Sequence, residues 1–223
     1  MLYSWYNLSM FTEDPNIETI VDGIYIYRNF LEKDFVDKIS AIAFDKARKN
    51  KELNHSNNWY NDKVYYSEEL VYSYKKLSDF LLPDFYIVPD SSMIITKTGD
   101  EMFVHTDSPE HDNPIDSPDP FNTCHIVDYG TLMYFGEWTG GDLFYPELDI
   151  TISPNPGDLV IHKSRHPYEH GVKRIESGIR AAQSLFAVSN SNHPGTFVKY
   201  GSKEFLDIEN SQNPLGWLDP TTS

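Results

Sequence analysis

From Phe85 to Val188 the chain is one short apolar run after another, each closed by glycine, proline or a cluster of polar residues. The runs are Tyr86-Ile87-Val88, Met93-Ile94-Ile95, Phe103 to Thr106, His125-Ile126-Val127, Leu132 to Phe135, Leu143-Phe144-Tyr145, Ile150-Thr151-Ile152, Gly157 to His162, His170 to Ile175 and Ile179 to Val188. Segments this short, rich in β-branched and aromatic residues, read as strands. Many short strands bury their apolar faces by packing sheet on sheet, so the spacing predicts a two-sheet sandwich or jelly roll.

Upstream the period changes. Gly23 to Tyr27 reads as a strand, and Asn29 with Glu32 three residues on is a helix-start signature. Leu31, Phe35, Ile39, Ile42 and Ala43 then recur at helical spacing. Residues 48–63 are rich in Lys, Asn and Asp and read as a loop. A second helix is predicted from near Ser67, carrying Leu70, Tyr74, Leu77 and Leu81 and stopping before Pro83. Residues 1–20 mix aromatic and acidic residues without a period, as in an arm packed on the domain or a disordered leader. Helices first and strands afterwards give an α+β class, with N-terminal helices buttressing a mostly antiparallel sheet. The 223 residues suit a single domain. Its parts are an arm and helical buttress (1–84), a jelly-roll core (85–190) and a C-terminal extension (191–223).

Acidic residues number 34 against 18 basic ones, a formal net charge of −16. That field repels phosphates and anionic membrane surfaces, which disfavours a nucleic-acid substrate. The single cysteine, Cys124, excludes an internal disulfide and fits a reducing compartment. No basic-then-apolar leader is present and no apolar run approaches a membrane span, so the expectation is a cytoplasmic protein without a membrane partner.

Three places in the core carry chemistry. His105 and Asp107 stand two residues apart in one strand, where alternation puts both on one face. An imidazole and a carboxylate side by side are two-thirds of the two-His-one-carboxylate set that holds Fe(II) and leaves part of its coordination sphere open. His170 opens a later strand, and Arg180 follows ten positions on. If Glu176-Ser177-Gly178 is a three-residue hairpin turn with Gly178 left-handed, Ile175 faces Ile179 and His170 faces Ser184. His170 and Arg180 then share a face, about 13 Å apart along the strand, a span that a small dicarboxylate bridges. A two-residue turn breaks this parity. Arginine suits the far end because its planar fork grips a carboxylate at two points.

In this combination the chain resembles the Fe(II)/2-oxoglutarate-dependent dioxygenases, and within them the prolyl 4-hydroxylase-like branch. The likeness runs over about residues 20–190. It includes Thr98-Gly99-Asp100, Thr131 to Phe135, Gly140 to Pro146, Pro154 to Val160, His170-Gly171-Val172 and Gly178-Ile179-Arg180. It implies a double-stranded β-helix with the metal at its open end, held by His105, Asp107 and His170. It also implies 2-oxoglutarate gripped by Arg180 with Tyr134 lining the pocket, O2 as co-substrate, and ascorbate as an optional addition. The reaction would yield succinate and CO2 while hydroxylating an unactivated C–H bond. A carboxylate at Asp107 favours hydroxylation over halogenation, which related enzymes carry out with a small residue there. Two positions depart from the branch: Thr96 stands where a tyrosine is usual, and Ala182 where a small hydroxyl residue is common.

Rivals exist for each role. His162 and His166 could be the distal ligand in place of His170, but only His170 stands ten before Arg180. Arg165 and Arg174 could grip the carboxylate, and Arg174 shares the face of Arg180 in the hairpin count. Two guanidiniums do not sit unpaired in one pocket, so Arg174 is expected to turn outward or pair with Glu176. His111 lies in the loop 108–122, whose prolines and acids suit a substrate-facing lid or a solvated excursion equally. His55, His125 and His193 lack companions at ligand spacing. The resemblance makes a prolyl residue in a peptide or protein the first substrate. A free amino acid, another small molecule, or a non-catalytic jelly-roll binding module are the alternatives.

Overall fold

The computed structural model describes residues 16–49, 68–80, 85–107 and 127–189. Residues 1–15, most of the 48–63 loop, the 108–122 loop, Cys124, His125 and Ile126 of the His125 run, His55, His111, His193 and the C-terminal extension lie outside them. The described elements are β1 (Ile17–Val21), β2 (Ile24–Tyr27), α1 (Lys33–Lys49), α2 (Glu68–Phe80), β3 (Phe85–Lys97), β4 (Met102–His105), β5 (Tyr129–Gly140), β6 (Leu143–Tyr145), β7 (Ile150–Ile152), β8 (Leu159–Lys163), β9 (His170–Val172) and β10 (Ile175–Ser189).

Two antiparallel sheets form. One has six strands in the order β1-β2-β8-β5-β10-β3, the other four in the order β4-β9-β6-β7. Strand β5 shows why both faces of the large sheet are covered: its residues 130–136 are all buried instead of alternating. Met133 and Phe135 point to one cluster, with Leu159, Ile161, Ala181 and Leu185 beneath Val36, Ile39, Ala43 and Leu77 of the helices. Leu132 and Tyr134 point the other way, into a second cluster shared with Leu143, Tyr145, Ile152 and Val172 of the small sheet. His105, His170 and Arg180 of the sequence reading line this inter-sheet layer. Helix α1 is pinned to β5 by Ser40, whose hydroxyl accepts the Gly136 N–H at 2.8 Å and donates to the Val36 carbonyl at 2.7 Å.

The α+β arrangement with helices against a mostly antiparallel two-sheet core is the predicted one, and its details correct several readings. The first helix starts at Lys33, not at the Asn29 signature, and runs to Lys49, into the predicted loop. Asn29 is left-handed (φ 53), and its N–H is held by buried Asp158 at 3.0 Å. The Tyr86 and Met93 runs are one strand, β3, with a register shift in its pairing to β10. Ile17–Val21, read as part of an arm, is an edge strand.

The hairpin from His170 to Val188 does not form. β9 belongs to the small sheet, between β4 and β6, while β10 lies in the large sheet between β5 and β3. Gly178 is left-handed (φ 87) as predicted, but it sits inside β10 opposite Trp138. Ile175 therefore faces Gly140, not Ile179. The short His170–Val172 strand is too far from β10 to share its ladder, so His170 and Arg180 approach from opposing sheets. Arg174 is exposed and does not stand opposite Arg180.

Candidate metal and cosubstrate site

The site begins with a bulge. Met102 pairs with Val172 and His105 with His170, so Phe103 and Val104 together oppose the single Gly171. A side chain at 171 is impossible: its Cβ would lie 2.8 Å from the Met102 carbonyl and 2.9 Å from the Phe144 ring. The extra residue restores register, leaving His105 and His170 directly opposite with ring centres 4.6 Å apart. Asp107 lies two residues past His105, beyond the end of β4 and not within it as the alternation argument had it. The corner between them is tied by the Thr106 hydroxyl, which donates to the Ser164 carbonyl at 2.7 Å.

One Asp107 oxygen, Oδ1, lies 3.9 Å from Nε2 of His105 and 3.9 Å from Nε2 of His170. The ligand atoms of all three residues fall within 4.8 Å of one another. Each imidazole is also oriented. Nδ1 of His105 donates to the Phe103 carbonyl and Nδ1 of His170 to the Tyr168 carbonyl, both at 3.1 Å. A carbonyl can only accept, so the proton sits on Nδ1 and the Nε2 lone pair faces the carboxylate.

A third imidazole, His162 on β8, shares this arrangement. It is fully buried, donates from Nδ1 to the Lys163 carbonyl at 3.1 Å, and turns Nε2 toward the other Asp107 oxygen, Oδ2, at 3.6 Å. Sequence spacing set His162 aside as a core or substrate-side residue. Its place beside Asp107 follows from its pairing with Gly130 across β8 and β5. A Cβ at 130 would lie 2.2 Å from Asp107 Oδ2 and 2.9 Å from His162 Nε2. The other rival, His166, is exposed and paired with Glu169 at 3.1 Å.

Burial governs the electrostatics. Desolvation pushes the Asp107 carboxyl up to about 6, against the opposing pull of His105. Desolvation lowers His170 to about 4, helped by the Arg180 charge, and lowers His105 with help from His170. His162 is pushed down further, again first by desolvation. At neutral pH the histidines are therefore neutral donors and Asp107 is ionised, the forms a divalent cation requires.

Deeper between the sheets lies Arg180, 1% exposed. Its guanidinium carbon is 4.9 Å from the centre of the Tyr134 ring, and among the described residues it has no carboxylate partner. Thr96 stands opposite Arg180 on β3, where its hydroxyl donates to the Arg180 carbonyl at 3.1 Å. Ala182, where a hydroxyl residue is common in the resembling enzymes, stands opposite Tyr134. Trp138 packs beside Tyr134, ring centres 6.3 Å apart.

Among the described residues, five buried side-chain atoms have no hydrogen-bond partner: Tyr134 Oη, Tyr145 Oη, His162 Nε2, Arg180 Nε and Glu169 Oε2. Four of them belong to Arg180 itself or to residues packed on it or on the triad: Tyr145 and His162 against His170, and Tyr134 under the Arg180 guanidinium. Orphaned polar atoms at this density are costly unless a ligand meets them. The donor set fits a divalent cation beside a small anion: two imidazole lone pairs and a carboxylate at one end, a bare guanidinium at the other.

No protein-family model and no curated protein matches the sequence. The structure does have relatives. A viral collagen prolyl hydroxylase from Paramecium Bursaria Chlorella virus-1, solved with 2-oxoglutarate, superposes with a TM-score of 0.55 at 16% identity, covering 76% of this chain and 98% of that one. The fold is that of the prolyl hydroxylases. A prolyl hydroxylase from Trichoplax adhaerens, solved with a hypoxia-inducible-factor peptide, gives 0.55 at 16% identity over 76% of this chain and 85% of its own. NgTET1 in complex with 5mC DNA gives 0.50 at 16% identity, over 85% of this chain and 80% of its own. The double-stranded β-helix predicted from the resemblance is thus the observed fold.

Proposed function

We propose that the chain is an Fe(II)- and 2-oxoglutarate-dependent dioxygenase that hydroxylates an unactivated C–H bond, with a prolyl residue in a peptide as its substrate. The observation that carries this reading is the meeting of His105, Asp107 and His170 at one point, with the buried Arg180 guanidinium near enough to His170 to depress its pKa and without an acid partner among the described residues. His105 Nε2, Asp107 and His170 Nε2 would hold the iron. When bound, iron with O2 and 2-oxoglutarate supplies C–H oxidation coupled to loss of CO2 and formation of succinate.

The chain's own contribution is positional. The Phe103 and Tyr168 carbonyls keep the two imidazoles in the ligating tautomer. Arg180 receives the far carboxylate in a dry pocket where a charged fork is strongest, with Tyr134 beside it and Thr96 bracing the Arg180 backbone. The inter-sheet cluster around Tyr134, Leu143 and Val172 excludes water from the reacting end.

Two solved neighbours are prolyl hydroxylases, one holding a peptide. The net charge of −16 favours a peptide over DNA, which NgTET1 holds on the same fold. No described helix is long and apolar enough to cross a membrane.

The test is succinate release with Fe(II), 2-oxoglutarate and a panel of proline-rich peptides, read with the gain of one oxygen atom by mass. Wild type should turn over, and His170→Ala and Arg180→Ala should lose at least about 100-fold. Turnover that survives loss of His170, or needs neither iron nor 2-oxoglutarate, defeats the reading. Turnover with free amino acids but no peptide defeats the substrate class alone.

A further inference from the structure

We propose that Tyr145 is a binding residue for the dicarboxylate cosubstrate, donating its phenol O–H to it between the metal triad and Arg180. This rests on the reading just given and adds a contact that neither the triad nor the arginine supplies. The register of β6 on β9 places Leu143 opposite Val172 and Phe144 opposite Gly171, so the next residue, Tyr145, stands beside His170. The rings of Tyr145 and His170 are 5.7 Å apart, and His170 is opposite His105. The three side chains form one row across the small sheet, facing the large one. From the large sheet His162 approaches the same tyrosine, ring centres 5.8 Å apart.

Tyr145 is fully buried, yet its hydroxyl has no hydrogen-bond partner. A phenylalanine would fill the same space without stranding a donor, so the hydroxyl calls for an acceptor from outside the chain. His162 Nε2 also lacks a hydrogen-bond partner and its ring packs against Tyr145, but the two atoms remain unjoined in the structure. Burial raises the Tyr145 hydroxyl pKa well above the usual phenol value, and the charges of Tyr134 and Asp107 push the same way. It is thus a neutral donor beside His170 at the triad end and near Tyr134, whose ring carries the Arg180 guanidinium at the other end. An elongated dicarboxylate running between those ends passes it.

The experiment uses the full chain loaded with Mn(II), which binds such sites without turnover, and measures 2-oxoglutarate affinity calorimetrically for wild type and Tyr145→Phe. The expected result is about 10-fold weaker 2-oxoglutarate binding in the variant, the worth of one hydrogen bond to a charged group. Mn(II) affinity and thermal midpoint should stay at wild-type values or, for the midpoint, rise. In turnover, KM for 2-oxoglutarate should rise while KM for peptide stays put. Equal 2-oxoglutarate affinity in the two proteins overturns the role of Tyr145 and leaves the proposed function standing. A wild type that binds Mn(II) but no 2-oxoglutarate overturns both. A loss confined to Mn(II) affinity assigns Tyr145 to packing around His170 and overturns the proposal.

Discussion

Arg180 lies over the ring of Tyr134, its guanidinium carbon 4.9 Å from the ring centre, and no described acid neutralises it. Burial alone lowers its pKa, with Tyr134 pulling weakly the other way. A buried, unpaired charge costs stability that only a bound anion returns. Replacing it with Met should therefore leave the ligand-free fold as stable or more stable, by about 1–2 kcal/mol. The same Arg180→Met variant should lose 2-oxoglutarate binding by at least about 100-fold, as expected for a bidentate charge-assisted contact. Thermal melts and calorimetry on one preparation read both effects. Destabilisation of the ligand-free variant would mean that the guanidinium has a partner within the fold.

Metal affinity should depend on pH through a single proton. Asp107 is pushed up to about 6, whereas His170 is lowered to about 4 and His105 is lowered too, all first by desolvation. At pH 7 the carboxylate is ionised and the imidazoles are neutral, so no proton competes. As pH falls through about 6 a proton occupies Asp107, and apparent affinity should drop about tenfold per pH unit. Mn(II) titrations followed by EPR between pH 7 and pH 5 measure that slope. A slope near two, beginning close to the ordinary histidine pKa, would show the imidazoles titrating instead and refute the assignment.

What the sequence disclosed follows the range of its signals. Strand alternation and helix spacing are local, so the two-layer core, α2 and the Leu143 and Ile150 strands could be read directly. The partner of His170 could not. The hairpin argument assumed that the tight Glu176-Ser177-Gly178 sequence folds the chain back on itself, whereas β9 and β10 separate into different sheets. His170 and Arg180 were read as sharing a face of that hairpin; they stand instead on different sheets, each pointing into the layer between them. His162 was weighed as a rival ligand, but its place beside Asp107 was not legible because it depends on Gly130, a residue with no side chain to notice, in a strand it pairs with only after folding. Asn29 misled because Asp158, far along the chain, holds its N–H and keeps it left-handed.

Asp158 gives a prediction about the fold rather than the site. Its buried carboxylate accepts the N–H groups of Asn29 at 3.0 Å and Asn155 at 2.8 Å, and pairs with Arg28 at 2.7 Å. Removing it strands two backbone donors at the joint that links β2 to α1 and takes one of several partners from the partly exposed Arg28. Asp158→Ala should cost about 2–4 kcal/mol, seen as a lower urea midpoint with an unchanged slope. Mn(II) affinity of the folded fraction should match wild type. A cost below about 1 kcal/mol would show that water replaces the carboxylate.

Gly130 offers the sharpest separation of site from scaffold. Its φ is not in the left-handed region, so only space forbids a side chain there: a Cβ would meet Asp107 Oδ2 at 2.2 Å and His162 at 2.8 Å. The carboxylate is the mobile partner, since it lies past the end of β4, whereas His162 is locked inside the large sheet by the Lys163 carbonyl. Gly130→Ala should therefore push Asp107 away from His105 and His170. Overpacking of this kind costs about 1–3 kcal/mol of stability. Metal affinity should fall by at least about tenfold, since displacing one of three ligands loses more than a supporting contact does. The pairing of β5 with β8 should survive, so far-ultraviolet circular dichroism should match wild type. If instead Gly130→Ala binds Mn(II) as tightly as the parent, Asp107 is not held at the position from which it would ligate the metal, and the three-residue site must be redrawn.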